Sequence, residues 1–329
     1  MIEASAPARA GIIGNPTDGY GGSMVACSLG LRATVRISDC ERLELAYGGR
    51  ETTITGEKDL RLDSGVFDIA KSVIRYLRIS DRRFRIEGNS DVPFRSGLAG
   101  STAMLAATFG AVASYIGLRL NPYRTAETIR YIELNYMDIQ CGYQDQYMSV
   151  FGGLNYMDFR TKEIYRELHE EVFATVEPLA GYVEKLPFVL VHTGVQRISG
   201  SVLRPVRERW LDGDPEVVEG YREIAGLARL GKIALIDGDW ESLGELMNRN
   251  HEIQKALGAS GKVNDMFIDM ALAHGALGAK LAGAGGGGTI LALHPEPDKM
   301  IEAFKNKGDY KVILLDPGPG LQVRETPTS

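Results

Sequence analysis

Cysteine is scarce in this 329-residue sequence, and long runs of apolar residues are missing. The three cysteines, Cys27, Cys40 and Cys141, are widely separated, odd in number and without metal-ligand spacing, which argues against a disulfide framework and a zinc site. No stretch approaches the length of a uniformly apolar bilayer-spanning helix, and the N-terminus lacks the pattern of a signal peptide. We therefore expect a soluble, cytoplasmic protein with no membrane association.

Positive charge is not in excess either. The formal net charge of −6 argues against nucleic acid as a main partner, although a local basic pocket for a small anion remains compatible with it. The hydrophobic fraction of 44% is ordinary for a globular protein, and the length allows two domains or one large one. The oligomeric state stays open between a monomer and a homodimer.

Two familiar phosphate-binding motifs are also absent. A Walker A loop needs Ser or Thr after its Gly-Lys pair, but Gly261-Lys262 is followed by Val263 and the first glycine of the motif is missing. The glycines of residues 283–288 satisfy the dinucleotide-binding spacing, yet a strand pattern follows them where that motif requires a helix. Both matches are therefore rejected.

A glycine-rich turn does stand ahead of about four turns of small and apolar side chains in residues 92–118. Gly97 and Gly100 permit backbone geometry that a Cβ would obstruct, and Ser101 is the predicted N-cap of a buried central helix. The exposed amides and dipole at such a helix start favour an anion, most plausibly phosphate. The alternative is a tight turn before a core helix. A second glycine-rich run, residues 283–288, favours the functional interpretation.

The N-terminal half predicts a β-rich opening. Residues 3–14 resemble a strand, with Arg9 alone among apolar neighbours. A buried arginine requires a partner, whereas an edge position would let it reach water. Further strands are predicted at 25–37, 43–47, 84–87 and 154–159, and helices at 66–77 and from Asn121-Pro122, which is a good helix start.

The C-terminal half predicts more helix. The passage between domains is placed at residues 176–185, before a buried strand at 186–192. Helices are predicted at 204–211, 216–230, 243–257 (with a polar break at Asn250) and 263–277, and a strand at 289–293. This order suggests an α+β second domain, and the Pro/Gly/Thr-rich residues 317–329 are expected to form a flexible tail.

Three separated segments together resemble the GHMP small-molecule kinases, the superfamily of galactokinase, homoserine kinase, mevalonate kinase and phosphomevalonate kinase. They are Pro7-Ala8-Arg9 with Gly14 and Thr17-Asp18, Pro93 with residues 97–103, and residues 280–288. The resemblance implies an α+β fold of two domains. The N-terminal domain (1–182) would be ribosomal protein S5 domain 2-like with a left-handed βαβ crossover, and the C-terminal domain (183–316) ferredoxin-like.

The resemblance also implies ATP and Mg²⁺ as cofactors. The ATP-binding residues would be Pro93, Gly97, Leu98, Ala99, Gly100, Ser101 and Thr102. Ser101 and Glu133 match the family's metal ligands, and Asp145 and Arg9 match the acid and the cation beside the attacking hydroxyl. If Arg9 is buried, Asp145 would be its partner. Alternatively, Glu133 is a solvated helix acid and Ser101 only a helix cap.

The acceptor implied by the resemblance is a small-molecule sugar. Asn15-Pro16 stands where galactokinase-like members carry Glu-His, whereas residues 14–20, 151–159 and 206–214 resemble the glucuronokinase branch. The expected substrate-binding residues are Asn15, Thr17, Asp18, Tyr20, Arg197, Gly285 and Gly286, and the uronate carboxylate would pair with Arg197, Arg204 or Arg207. The alternatives are a heptose, galactose or other hexose 1-kinase, a homoserine or mevalonate-type kinase, and a catalytically silent sugar sensor.

Overall fold

The computed structural model describes residues 1–93, 95–162, 172–194, 203–285, 288–308 and 310–326. The strands are β1 (Ile2–Ile13), β2 (Ser23–Asp39), β3 (Leu43–Tyr47), β4 (Arg50–Ile54), β5 (Phe84–Ser90), β6 (Leu154–Asp158), β7 (Thr175–Pro178), β8 (Phe188–His192), β9 (Gly278–Leu281), β10 (Thr289–Leu293), β11 (Lys311–Leu314) and β12 (Gln322–Glu325). The helices are α1 (Asp68–Leu77), α2 (Gly100–Tyr115), α3 (Pro122–Tyr136), α4 (Gln144–Phe151), α5 (Leu203–Leu211), α6 (Pro215–Asp237), α7 (Trp240–Ala256), α8 (Lys262–Ala273) and α9 (Pro297–Lys305).

The larger sheet has the strand order β12-β1-β2-β5-β3-β4, and β6 and β7 extend it from β2. Strand β2 is long enough to pair with two partners in turn: its first residues pair with β6 and its last residues with β5. Strands β3 and β5 are parallel, with β4 and α1 between them in the chain. The predicted β-rich opening is confirmed.

Helix α2 is the central helix of this N-terminal unit. Its small and apolar side chains are buried on nearly every face, and it packs against β1 and β2. Leu105, Phe109 and Val112 lie in one core with Val35 of β2 and Ile86 of β5. A helix that is apolar all round is stable only where it is covered on all sides, as it is here.

The C-terminal unit is an antiparallel sheet with the order β11-β8-β10-β9. Helices α5 to α8 separate β8 from β9, and α9 separates β10 from β11, which is the ferredoxin-like arrangement expected. Helices α8 and α9 cover one face through Phe267 and Phe304. A second core joins this unit to the first, since Leu291 and Leu243 pack with Ile12 of β1.

Several elements differ from their predicted form. The polar break expected at Asn250 is absent, because its side chain is buried and accepts from Gly14 N at 2.9 Å. Helix α4, helix α9 and strand β11 were not predicted. The first three residues of the expected inter-domain passage, 176–178, belong to strand β7, which pairs with β6. None of the helices in the described ranges combines the length and apolarity needed to cross a bilayer.

The prediction of a flexible tail at 317–329 is wrong as far as residue 326, where the described chain ends. Strand β12 pairs with β1, and Ser28 Oγ donates to Gly318 O at 2.6 Å. Arg32 donates to the carbonyls of Pro319 and Gly320 at 2.6 and 2.8 Å. The glycines and prolines therefore form a turn against the N-terminal sheet, and composition alone did not distinguish such a turn from a frayed end.

Candidate active site

Strand β1 lies between two glycine-rich segments, which we call the first glycine loop (residues 95–100) and the second glycine loop (residues 282–285 with Gly288). Arg9 N donates to Leu98 O at 3.1 Å, and Gly11 N donates to Ala282 O at 2.8 Å. Thr289 of β10, which follows Gly288, also bonds the first glycine loop, since its Oγ1 donates to Ser96 O at 2.9 Å. The two segments predicted to be functional therefore border the same strand.

The close approach of the loops requires glycine at two positions. A Cβ at Gly283 would lie 2.8 Å from Gly97 O, and a Cβ at Gly288 would lie 2.0 Å from Ser96 O. Gly97 and Gly288 also have φ values of +80° and +93°, a region that side chains with a Cβ seldom adopt. A side chain at Gly283 or Gly288 would therefore push the two glycine loops apart.

Arg9 and Asp145 form an ion pair at the junction of β1 and the first glycine loop. Arg9 Nε and Nη2 lie 2.8 and 2.7 Å from Asp145 Oδ1, and Arg9 Nη1 donates to Gly97 O at 2.7 Å. The Arg9 side chain is 3% exposed and that of Asp145 is 32% exposed. The edge-strand alternative for Arg9 is therefore wrong. The pairing implied for a buried Arg9 is present, and the catalytic roles of the two residues stay predictions.

Asp18 fixes the start of the helix that carries Asp145. Asp18 Oδ2 accepts from Tyr143 N at 2.7 Å and from Gln144 N at 2.9 Å, so it satisfies amides at the start of α4. Burial raises the pKa of Asp18, against the opposing effect of those amides, and the charge of Asp145 raises it further. A Cβ at Gly142 would collide with this carboxylate, at 2.0 Å from Oδ2.

Glu133 is a buried carboxylate, 3% exposed, and not a solvated helix acid. Its Oε1 accepts from Thr102 Oγ1 at 2.8 Å, and its Oε2 accepts from Gln146 Nε2. Burial raises the pKa of Glu133 to about 7, and the negative charge of Asp145 acts in the same direction. Arg130 opposes this shift. The carboxylate is therefore placed where an added cation would be favourable.

Ser101 is not the helix cap that the sequence predicted. Helix α2 starts at Gly100 after Ala99, whose φ of +62° makes the turn, and Ser101 is an exposed residue of the first turn. Gln146 Oε1, which lies in a buried amide beside Glu133, has no hydrogen-bond partner in the described ranges. Hydroxyl and carboxylate oxygens fit Mg²⁺, which commonly takes one or two protein carboxylates and completes its shell from water and phosphate oxygens.

The remaining predicted substrate residues divide into two groups. Asn15 is buried, its Nδ2 donates to Gly283 O at 2.6 Å, and Thr17 Oγ1 donates to Gly14 O at 2.8 Å, so both side chains hold the backbone. Tyr20 is more accessible and packs on Trp210 of α5 with ring centroids 5.1 Å apart. Three further predictions for substrate binding lie outside the described residues: Arg197, Gly286 and the side chain of Arg204.

Gly285 and Arg207 are the two other residues predicted to bind the substrate. Gly285 has a φ of +114°, and a Cβ on it would lie 2.1 Å from Ala259 O. It therefore shapes the second glycine loop against the C-terminal unit. Arg207 lies in the middle of α5, three residues before Trp210.

Lys280 is a residue of this region to which the sequence assigned no role. It is fully buried in β9, and its Nζ lies 2.6 Å from Asn15 Oδ1 and 2.7 Å from Leu281 O. Burial lowers the pKa of Lys280 to about 7, and the charge of Arg9 contributes. The sequence signal that could have identified Lys280 is its position inside an otherwise apolar strand, next to the glycine run.

Comparisons with known proteins agree with the arrangement. The model for the GHMP kinases N terminal domain matches residues 66–153, and that for the GHMP kinases C terminal region matches residues 232–309. A mevalonate kinase of Pyrococcus horikoshii is 31% identical, with 98% of each chain covered. Glucuronokinase 1 of Arabidopsis thaliana is 26% identical over 96% of this chain and 91% of its own. The crystal structure of Lactococcus lactis galactokinase complexed with galactose superimposes with a TM-score of 0.79 at 18% identity, covering 98% of this chain and 95% of that one.

Proposed function

Because the chain belongs to the GHMP kinases, a family that uses ATP as phosphate donor, we propose that it phosphorylates the anomeric hydroxyl of a sugar acid, glucuronate. The observation that carries the proposal of a working kinase is the Arg9–Asp145 pair beside the first glycine loop. A sugar sensor without catalysis would have no need of a buried arginine paired with a partly exposed aspartate.

The pair supplies what phosphoryl transfer demands of a protein. The reaction relies on positioning and on neutralising charge more than on covalent chemistry. Backbone amides of the first glycine loop and the positive end of α2 would bind the triphosphate. Arg9 would offset charge that develops on the transferred group, and Asp145 would accept the proton of the attacking hydroxyl or orient that hydroxyl.

Ser101 and Glu133 would hold Mg²⁺, with Thr102 and Gln146 fixing the orientation of the Glu133 carboxylate. The ion would neutralise phosphate charge when it is bound. The raised pKa of Glu133 fits this role, because a carboxylate that is costly to ionise alone is stabilised by a neighbouring cation.

The choice of a sugar as the acceptor is supported by the surroundings of Asp18. Its Oδ2 is occupied by the two amides of α4, so Oδ1 is the oxygen that would accept a sugar hydroxyl. Tyr20, two residues on, packs on Trp210, which brings together two of the segments that resemble glucuronokinase. The similarity to an Arabidopsis glucuronokinase supports the same choice.

Mevalonate is the second candidate acceptor. The archaeal mevalonate kinase is more similar in identity than the plant glucuronokinase, at 31% against 26%. Both acceptors carry a carboxylate and a reactive hydroxyl, so a common anion-binding feature would serve either. The two differ in that only the sugar yields a phosphate on an anomeric oxygen.

The test is ADP release by the purified protein with ATP and Mg²⁺ against glucuronate, galacturonate, neutral hexoses, heptose phosphates, homoserine and mevalonate. Asp145→Asn is the matched control for background ATP hydrolysis, since it preserves shape and removes the charge. The expected product is an acid-labile anomeric phosphate, identified by phosphorus NMR. Turnover of mevalonate or homoserine with no sugar would contradict the proposal. A strong preference for a neutral hexose would leave a sugar kinase but reject the uronate.

A further inference from the structure

Lys280 is buried without a neighbouring negative charge to balance its ammonium group. Its side chain is completely inaccessible, and within the described ranges the hydrogen bonds of its Nζ go only to neutral oxygens, those of Asn15, Leu281 and, at 3.5 Å, Gly11. Among the described residues no carboxylate lies within ion-pair distance of it. Burying an ammonium group without an anion is costly, and an apolar side chain of similar length would avoid that cost. Stability alone therefore does not explain a lysine here.

The contacts of Lys280 lead to the reaction centre through one side chain. Lys280 Nζ donates to Asn15 Oδ1, which fixes the orientation of the Asn15 amide. The same amide then directs Nδ2 to Gly283 O at 2.6 Å and to Leu281 O at 3.4 Å. Reversal of the amide would place its oxygen against the Gly283 carbonyl and its NH₂ group against the ammonium. The lysine thus specifies which amide orientation is stable.

Gly283 in turn lies close to both Gly97 and Arg9. A Cβ on Gly283 would lie 2.8 Å from Gly97 O and 3.7 Å from Arg9 Nη1. Arg9 Nη1 itself donates to Gly97 O. A displacement of Gly283 would therefore free space directly behind the guanidinium that holds Asp145.

We propose that Lys280 is a positioning residue for phosphoryl transfer, which acts through Asn15 to hold the second glycine loop against Gly97 and Arg9. This inference rests on the proposed kinase function. The ammonium also adds a positive charge close to Arg9, and the two groups interact electrostatically. Lys280 makes no contact with Asp145 or Glu133, so its effect on the reaction is indirect.

The experiment compares Lys280→Met with Asn15→Asp. K280M removes the donor to Asn15 at nearly constant volume. N15D keeps an acceptor for Lys280 but loses the donor to Gly283 O and places a carboxylate oxygen there. Both variants are expected to lower kcat by about tenfold or more, because small errors of placement are expensive in this chemistry. The KM for the acceptor should change less than about threefold, since both side chains are buried and bond each other and the backbone.

Lys71→Met is the matched control. Lys71 is also a buried lysine, 5% exposed, and in the N-terminal unit it donates to Arg61 O at 3.0 Å and to Asp63 Oδ2 at 3.2 Å. Its loss is expected to leave kcat unchanged. An equal fall of kcat in K71M would show a general effect of removing a buried lysine and would overturn the proposal. A near-normal kcat in K280M would also overturn the proposal. A near-normal kcat in N15D would overturn it as well, because it would exclude an effect that passes through Asn15.

Hydrogen exchange of the backbone gives a readout that does not depend on the acceptor. Amides of residues 281–285 should exchange faster in K280M and N15D than in the wild type, with no change in K71M. Unchanged exchange in both variants overturns the positioning role whether or not the protein phosphorylates a sugar. If the wild type turns over no acceptor while exchange changes as expected, the proposed function fails and the loop contact stands. Should K280M not fold, N15D carries the same tests.

Discussion

The pH dependence of stability should reveal Lys280 directly. Its pKa is lowered from 10.5 to about 7 in the folded protein, first by burial and then by Arg9. The unfolded chain therefore binds more protons than the folded one between about pH 7 and pH 10.5. The free energy of unfolding therefore rises with pH across that window. Below pH 7 the folded protein carries the full cost of burying the charged lysine. His251 of α7 is a further titratable group whose pKa is influenced by the charge of Lys280.

The size of the effect follows from the same shift. One pKa unit corresponds to about 1.4 kcal/mol, so the penalty is about 4 kcal/mol at pH 7 and about 2 kcal/mol at pH 9. Lys280→Met removes this penalty but leaves Asn15 Oδ1 without its donor, which costs about 1–3 kcal/mol. The variant should therefore be at least as stable as the wild type at pH 7. Its advantage should shrink by about 2 kcal/mol by pH 9.

Urea unfolding at pH 7, 8 and 9, followed by tryptophan fluorescence, measures this difference from the midpoints at constant slope. Asn15→Asp is the informative contrast, because a carboxylate against the ammonium would raise the pKa of Lys280 and flatten the pH dependence. A difference between wild type and K280M that stays constant from pH 7 to pH 9 would refute the reasoning. It would mean that the folded protein does not disfavour the charged lysine.

Three further predictions concern the active site. Asp145→Asn and Arg9→Met should each lower turnover by roughly 10² or more, while ATP binding survives. The double variant should be little worse than the poorer single variant. Losses that multiply in the double variant would instead indicate independent roles. Gly97→Val should weaken ATP binding measured by calorimetry, because valine resists a φ of +80°. Ser101→Ala should chiefly impair Mg²⁺-dependent turnover. Unchanged ATP affinity in folded G97V would contradict phosphate binding by the first glycine loop. Trp210→Ala should raise the KM for the sugar acid and leave the KM for ATP unchanged, and the reverse pattern would place α5 at the nucleotide.

Local pattern predicted much of the fold. The apolar side chains of residues 103–113 dictated a buried central helix, and Asn121-Pro122 marked the start of α3, where Asn121 Oδ1 accepts from Arg124 N at 2.8 Å. Arg9 could be interpreted in advance because a charge inside an apolar strand must find a partner or reach water. Each of these inferences used a signal contained within a few residues.

The features that were missed depend on contacts between distant residues. Helix α4 has eight residues and its Tyr143 cap position makes no side-chain cap bond; its first amides are satisfied by Asp18, 126 positions before Gln144. Strand β12 exists because β1 offers it an edge, which its own composition does not indicate. Asn250 looked like a break in α7 because the backbone it bonds, at Gly14, lies 236 residues away.

Strand β1 and the turn after it explain how three separated motifs become one site. Arg9 contacts the first glycine loop and Asp145, Gly11 and Asn15 bond the second glycine loop, and Asp18 caps the helix of Asp145. One short segment thereby sets the distances among groups as far apart in the chain as Asn15 and Gly283, 268 positions. In a reaction governed by placement, such a shared support matters because any loop that moves must first break a bond to β1 or its turn. The buried lysine behind Asn15 is consistent with this arrangement, since its bond to Asn15 Oδ1 favours the amide orientation in which Nδ2 donates to Gly283 O.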